Sequence, residues 1–186
     1  MKLIETIVEV TAKPYAYTWD FFYLEGANGE FTTENGAIIE FDVEYNEEWE
    51  QGPRPDPNRF EHHEIVFSGI GAKGSRTTKQ MDSGNPFRVF ATIQAMMQDY
   101  IDRYGHQIEM IKFSADKSTG KLGRSKLYTR YAKNWNKMFR GQKWQSYVYE
   151  NSPGGATIIY AINKNTMSKK NIDYFDSAFG KKFKKV

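Results

Sequence analysis

The run Glu61-His62-His63-Glu64 gathers residue types that move protons or bind metals, placing two carboxylates around two of the chain's three imidazoles. In an extended segment neighbouring side chains point to opposite faces. These four therefore cannot converge as the three or four ligands of a metal centre, and at most one of the two histidines faces a given cleft. His106 follows an expected helix stop and reads as solvent-exposed. With no cysteine in the chain, thiolate nucleophiles, Cys-based zinc sites, iron–sulfur ligation and disulfides are excluded. The sequence also lacks a Walker loop, His-Glu-x-x-His and Gly-x-Ser-x-Gly. Gly69, Gly71 and Gly74 in SGIGAKG miss the dinucleotide spacing, and no helix follows at once. No metal is expected.

Anion binding is the other chemistry that the residue spacing suits. Ser83, Gly84, Asn85, Phe87 and Arg88 open a helix whose unpaired N–H groups and dipole favour negative charge, although Pro86 removes one donor. A plainly capped helix start accounts for the same residues equally well. Further on, Lys126, Arg130, Lys133, Lys137 and Arg140 recur at spacings of four, three, four and three, one stripe of a helix. This is either a solvated face or a surface for nucleic acid or an acidic protein partner. Lys169, Lys170, Lys181, Lys182, Lys184 and Lys185 then cluster around Phe175, Phe179 and Phe183, whose spacing of four fits one helical face.

The elements that must carry these groups follow from periodicity. NPFRVFATIQAMMQDYIDRYG predicts a helix with Val89, Ile93, Met96, Met97, Tyr100, Ile101 and Tyr104 on one face, Asn85 as N-cap, Pro86 at the first position and Gly105 as a left-handed stop. QIEMIKFSAD predicts a central strand, with Ile108, Met110 and Lys112 on one side and Ile111 and Phe113 on the other. A second helix is expected from Arg124 to Arg140, with Leu127, Tyr128, Tyr131, Ala132, Trp135, Met138 and Phe139 as its apolar arc. WQSYVYEN and ATIIYAINK flank Ser152-Pro153-Gly154-Gly155 as a hairpin.

Upstream, strands are expected at Met1–Val10, Tyr17–Leu24, Phe31–Thr33 after Asn28-Gly29, Ile38–Tyr45 and His62–Lys73. An exposed, proline-punctuated loop is expected from Asn46 to Phe60. A chain of 186 residues is long enough to bury a core without staples. We expect one domain over 1–163, comprising an acidic β meander (1–73) and a helix-strand-helix-hairpin (84–163), followed by a basic C-terminal tail (164–186).

The formal net charge of +3 conceals an asymmetry. Residues 1–61 hold 4 Lys+Arg against 14 Asp+Glu, a balance of −10, and the remaining 22 against 9 leave +13. Alternation in AIIEFDVEY explains part of the acidity as the solvated face of a half-buried strand. No run of ~18 apolar residues is present to span a membrane. Glu5 and Glu9 interrupt the N-terminal apolar stretch, so a soluble, cytoplasmic protein is expected.

An antiparallel meander followed by helix, strand, helix and hairpin resembles the GNAT acyltransferase superfamily, an α/β (α+β) fold with a mixed sheet. RSKLYTRYAKNW is similar to that family's helix after its fifth strand, FSAD falls where that strand ends, and SGNPFRVFATI takes the place of the pyrophosphate loop. The resemblance covers roughly residues 62–163, and the chain also resembles bacteriophage proteins with a GNAT-like half, which would place it in the host cytoplasm or the virion.

The family's usual loop carries more glycines than the single Gly84 here, and its two acceptor-shaping helices have no room in Lys13–Thr18. What the resemblance implies is transfer of an acyl group from acetyl-CoA or another acyl-CoA to an amine, with Ser83, Gly84, Asn85, Phe87 and Arg88 at the cofactor. Tyr128 of the Leu-Tyr pair would be the acid; a core aromatic is the alternative for it. Glu64 would be the base. Two parallel strands, at 64–72 and 108–114, would diverge to admit the thioester. The competing expectation is a non-catalytic binding or virion-associated module acting through the basic helix and tail.

Overall fold

The computed structural model describes residues 12–47, 60–70, 76–77, 85–115, 132–137, 139–149, 157–181 and 183–185. Ser83, Gly84, Lys126, Tyr128 and Arg130 lie outside these residues. So do the expected strand at 1–10, most of the loop at 46–60 and the Ser152–Gly155 turn.

Among the described residues the fold is α+β, a nine-stranded mixed sheet with helices on both faces. Strands β1 (Tyr17–Tyr23), β2 (Gly26–Thr32), β3 (Ile38–Asn46) and β4 (His62–Ile70) form an antiparallel meander. A two-residue β5 (Arg76–Thr77) returns along the end of β4, and helix α1 (Pro86–Tyr104) leads to β6 (Met110–Ala115). A helical segment at 132–137, here α2, precedes β7 (Trp144–Tyr149) and β8 (Thr157–Asn163), and α3 (Lys169–Phe179) and β9 (Lys184–Lys185) complete the chain. The order across the sheet is β1-β2-β3-β4-β6-β8-β7-β9. Its parallel pair is β4 with β6.

One face of the sheet packs on α1 and α2. Ile93, Met96, Met97, Tyr100 and Ile101 of α1 are buried against Phe41, Val43, Ile65 and Ile111, and Val89 and Tyr104 pack at the edge of the same cluster. This is the arc that the 3.6-residue period predicts. From α2, Trp135 joins Phe113 in a stack 5.6 Å between centroids. Asn85 caps α1 and Pro86 stands at its first turn, as expected. Gly105, expected as a left-handed stop, instead keeps helical angles (φ −56°, ψ −25°). The end of the helix is secured by Asn163, whose buried amide donates to Gly105 O at 2.7 Å and to Ile108 O at 3.1 Å. A tertiary partner replaces the local signal.

The opposite face is covered by the segment set apart on sequence as a basic tail. Phe175, Phe179 and Phe183 are all but fully buried against Met110, Tyr147, Tyr160 and Ile162. They belong to the core, while Lys169 and Lys170 are exposed on α3, Lys181 is exposed just after it, Lys184 and Lys185 form β9, and Lys182 lies outside the described residues. The strand expected to begin at Phe31 begins instead at Gly26, so that Asn28-Gly29 lies in the middle of β2. A Cβ at Gly29 would meet Thr18 O at 2.5 Å and Met96 Cε at 2.9 Å, so glycine is there for close packing beneath α1. The turn is at Leu24 and Glu25. Likewise, Phe139 and Arg140 follow the helical segment 132–137 and lie outside it.

Candidate functional site

α1 begins at Asn85, where the sequence suggests an anion cradle. Asn85 Oδ1 accepts from the Phe87 N–H at 3.0 Å, and Asn85 N–H donates to Glu34 Oε1 at 2.6 Å. Arg88 Nη1 lies 3.9 Å from Glu34 Oε2, its Nε donates to Lys13 O at 3.1 Å, and its guanidinium stacks 3.9 Å over the Tyr15 ring. The helix dipole and the guanidinium have thus already met a carboxylate supplied by the β2–β3 turn. A phosphate arriving here has to displace Glu34 or share the site with a like charge. Phe87 is half exposed and makes no part of that grip.

Glu64 stands on β4 directly across from Lys112 of β6. Lys112 Nζ donates to Glu64 Oε2 at 2.9 Å, with 15% and 23% of the two side chains exposed. Glu64 is held in a half-buried ion pair, so the same oxygen cannot take a substrate proton without breaking that bond. The two histidines face opposite ways, as alternation requires. His62 Nδ1–H donates to Phe60 O at 2.8 Å, and His63 Nε2–H donates to Leu24 O at 2.9 Å. Both are buried. His106 is exposed, as expected.

β4 and β6 share three register pairs, His63↔Ile111, Glu64↔Lys112 and Ile65↔Phe113. Each is zipped for longer on its other edge, β4 to β3 over nine pairs and β6 to β8 over six. β3 occupies its edge of β4 as far as Ile70, so β5, which pairs with Gly69 and Ile70, runs along the edge that β6 uses earlier. Val66 to Ser68 lie between these two partnerships.

The remaining candidate is the basic segment. Lys133 and Lys137 project from one side of α2 while Trp135 is buried beneath it. Asn136 anchors the segment to β7, its amide donating to Trp144 O and accepting from Trp144 N–H, both at 2.7 Å. Arg140 and Lys143 follow in the connection, which turns at Gly141 with φ +94°. All four cations are exposed, and among the described residues none of them makes an ion pair. Lys143 was missed by a periodicity argument because it lies beyond the helix. Glu34 and Lys112 were missed because only the fold brings them to their partners.

Neither a protein-family model, nor a curated protein, nor a solved structure matches this chain.

Proposed function

We propose that the protein acts by binding nucleic acid through the exposed cations of 133–143, on a sheet of GNAT-like order. The observation that carries this reading is the set Lys133, Lys137, Arg140 and Lys143, exposed on a segment that buried Trp135 and the Asn136–Trp144 hydrogen bonds anchor to the sheet. Cations fixed in this way release counterions when they meet phosphates, giving affinity without base readout. The C-terminal phenylalanines are buried in the core and take no part. The test is anisotropy of a labelled DNA duplex at increasing salt. Steep weakening with salt supports the reading, and salt-insensitive or absent binding contradicts it. An acidic protein as the target is the alternative outcome if duplex fails and a polyglutamate binds.

A second reading, acyl transfer from acyl-CoA to an amine, is favoured by one observation. It is supported by the parallel contact between β4 and β6, which covers only three register pairs. Against it stand Glu34 at the start of α1, Lys112 on Glu64 and β5 on the end of β4. Acyl-CoA should raise the thermal midpoint if this reading holds, as any ligand of the native state does. The rise should grow in Glu34→Gln, which removes the resident negative charge. No shift at millimolar ligand in either protein removes the reading.

A further inference from the structure

The presented surface does not stop at Lys143. The Lys164 N–H donates to Lys143 O at 2.7 Å, which carries the β7–β8 ladder one position beyond Trp144↔Asn163 and sets the two lysines directly opposite each other. Hydrogen-bonded opposite residues of an antiparallel pair stand about 5.5 Å apart at their Cα atoms, and their side chains share a face. Lys164 Nζ donates to Gln145 Oε1 at 3.2 Å, a side chain two places along from Lys143 and so on its side of the strand. A further tie, from Asn165 Nδ2 to Gln142 Oε1 at 3.2 Å, joins the same two strand ends.

This juxtaposition is unfavourable by itself. Like charges directly opposite across a ladder destabilise a sheet, and among the described residues no carboxylate lies in ion-pair range of either ammonium. Both side chains are exposed. The Lys164 ammonium carries three N–H donors and spends one on a neutral amide oxygen, which orients it without cancelling its charge. Other exposed lysines of the protein do meet a carboxylate, Lys169 at Asp173 and Lys185 at Asp176. An oxyanion from outside the chain would supply to Lys143 and Lys164 what Asp173 and Asp176 supply there.

We propose that Lys143 and Lys164 together hold one phosphate group, a subsite that carries the 133–143 surface across the end of β7 and β8. That this phosphate belongs to a nucleic-acid backbone rests on the reading above, whereas the subsite itself suits any phosphate. Two of the phosphate oxygens can each accept from one ammonium in a charge-assisted hydrogen bond. The anion also removes the repulsion between the two lysines. On sequence Lys164 opens the C-terminal tail, and only strand pairing brings it to Lys143.

Two arms of one experiment on the full chain separate the sources of phosphate. In the first, the side-chain nitrogen resonances of the lysines are followed as inorganic phosphate replaces chloride at constant ionic strength. Those of Lys143 and Lys164 should move together with one midpoint, and that of Lys185, already paired with Asp176, should stay. In the second, labelled duplex is titrated at increasing salt. Lys164→Ala should weaken binding at low salt by about threefold, in the range of an exposed charge pair. Lys143→Ala combined with Lys164→Ala should reduce the slope of log affinity against log salt by about 0.9, one phosphate for two lysines. Movement of both resonances without duplex binding keeps the subsite and removes the nucleic-acid reading. Duplex affinity unchanged in Lys164→Ala, a slope reduced by about 1.8 in the double variant as two separate phosphates require, or phosphate that moves only one resonance or neither overturns the subsite.

Discussion

Arg88, Lys112, Lys169 and Lys185 each meet a carboxylate within the fold, whereas Lys133, Lys137, Arg140 and Lys143 meet none among the described residues. Three of the first group fasten elements together, the β2–β3 turn to α1, β4 to β6, and β9 to α3, while Lys169 braces α3 within itself. The second stands on a segment already fastened by Trp135 and Asn136, and among the described residues its charge joins no two elements. Positive charge in this protein divides into fasteners and a presented surface, and sequence spacing alone does not separate the two.

Replacing Lys133, Lys137 and Arg140 together by Glu gives the sharpest contrast. Duplex affinity at low salt should fall by about a hundredfold or more, since three phosphate contacts become three repulsions. The thermal midpoint should change little. Breaking a fastener should do the opposite. Lys112→Met leaves Glu64 half-buried without its counter-charge and should cost about 2 kcal/mol in urea unfolding, discounted from fully buried pairs for partial exposure. Its affinity for duplex should be unchanged. If Lys112→Met weakens binding as strongly as the triple reversal, the division between the two groups is wrong.

Acid should act on the fold and not on the surface. Burial lowers the His63 pKa in the folded state, so its contribution to stability is intact above the unfolded value near 6.5 and is lost as pH falls through the lower folded value. The melting temperature should drop between neutral pH and about 5, and His63→Gln should flatten that drop. The smallest effect belongs to the exposed helical pair. Lys169→Ala, which removes its contact with Asp173 at 3.0 Å, should change stability by about 0.3 kcal/mol. A larger loss would mean that this lysine fastens more than its own helix.

Local chemistry was legible in the sequence wherever a single element decides it. The apolar arc of α1, its Asn85 cap and the divergence of His62 from His63 follow from spacing, whereas Ile108, expected beside Met110, packs with Ile111 and Phe113, and Asp42, expected on a solvated face of β3, is buried. What spacing could not reveal depends on partners far along the chain. Glu34 reaches Asn85 across 51 positions and Lys112 reaches Glu64 across 48, and no periodicity encodes either meeting. Asn28-Gly29 carries the composition of a turn, yet the approach of α1 fixes that glycine within a strand. The C-terminal lysines outvoted the phenylalanines on a charge count. Burial decided otherwise, since three aromatic rings offer far more apolar area to the sheet than the lysine heads lose by staying in water.

The most direct test of the presented surface is the slope of log affinity against log salt for duplex binding by the intact chain. Four phosphate contacts predict a slope of about −3.6, falling by about 2.7 when Lys133, Lys137 and Arg140 are replaced by alanine. A slope near zero, or one unaltered by the triple alanine variant, would contradict the account.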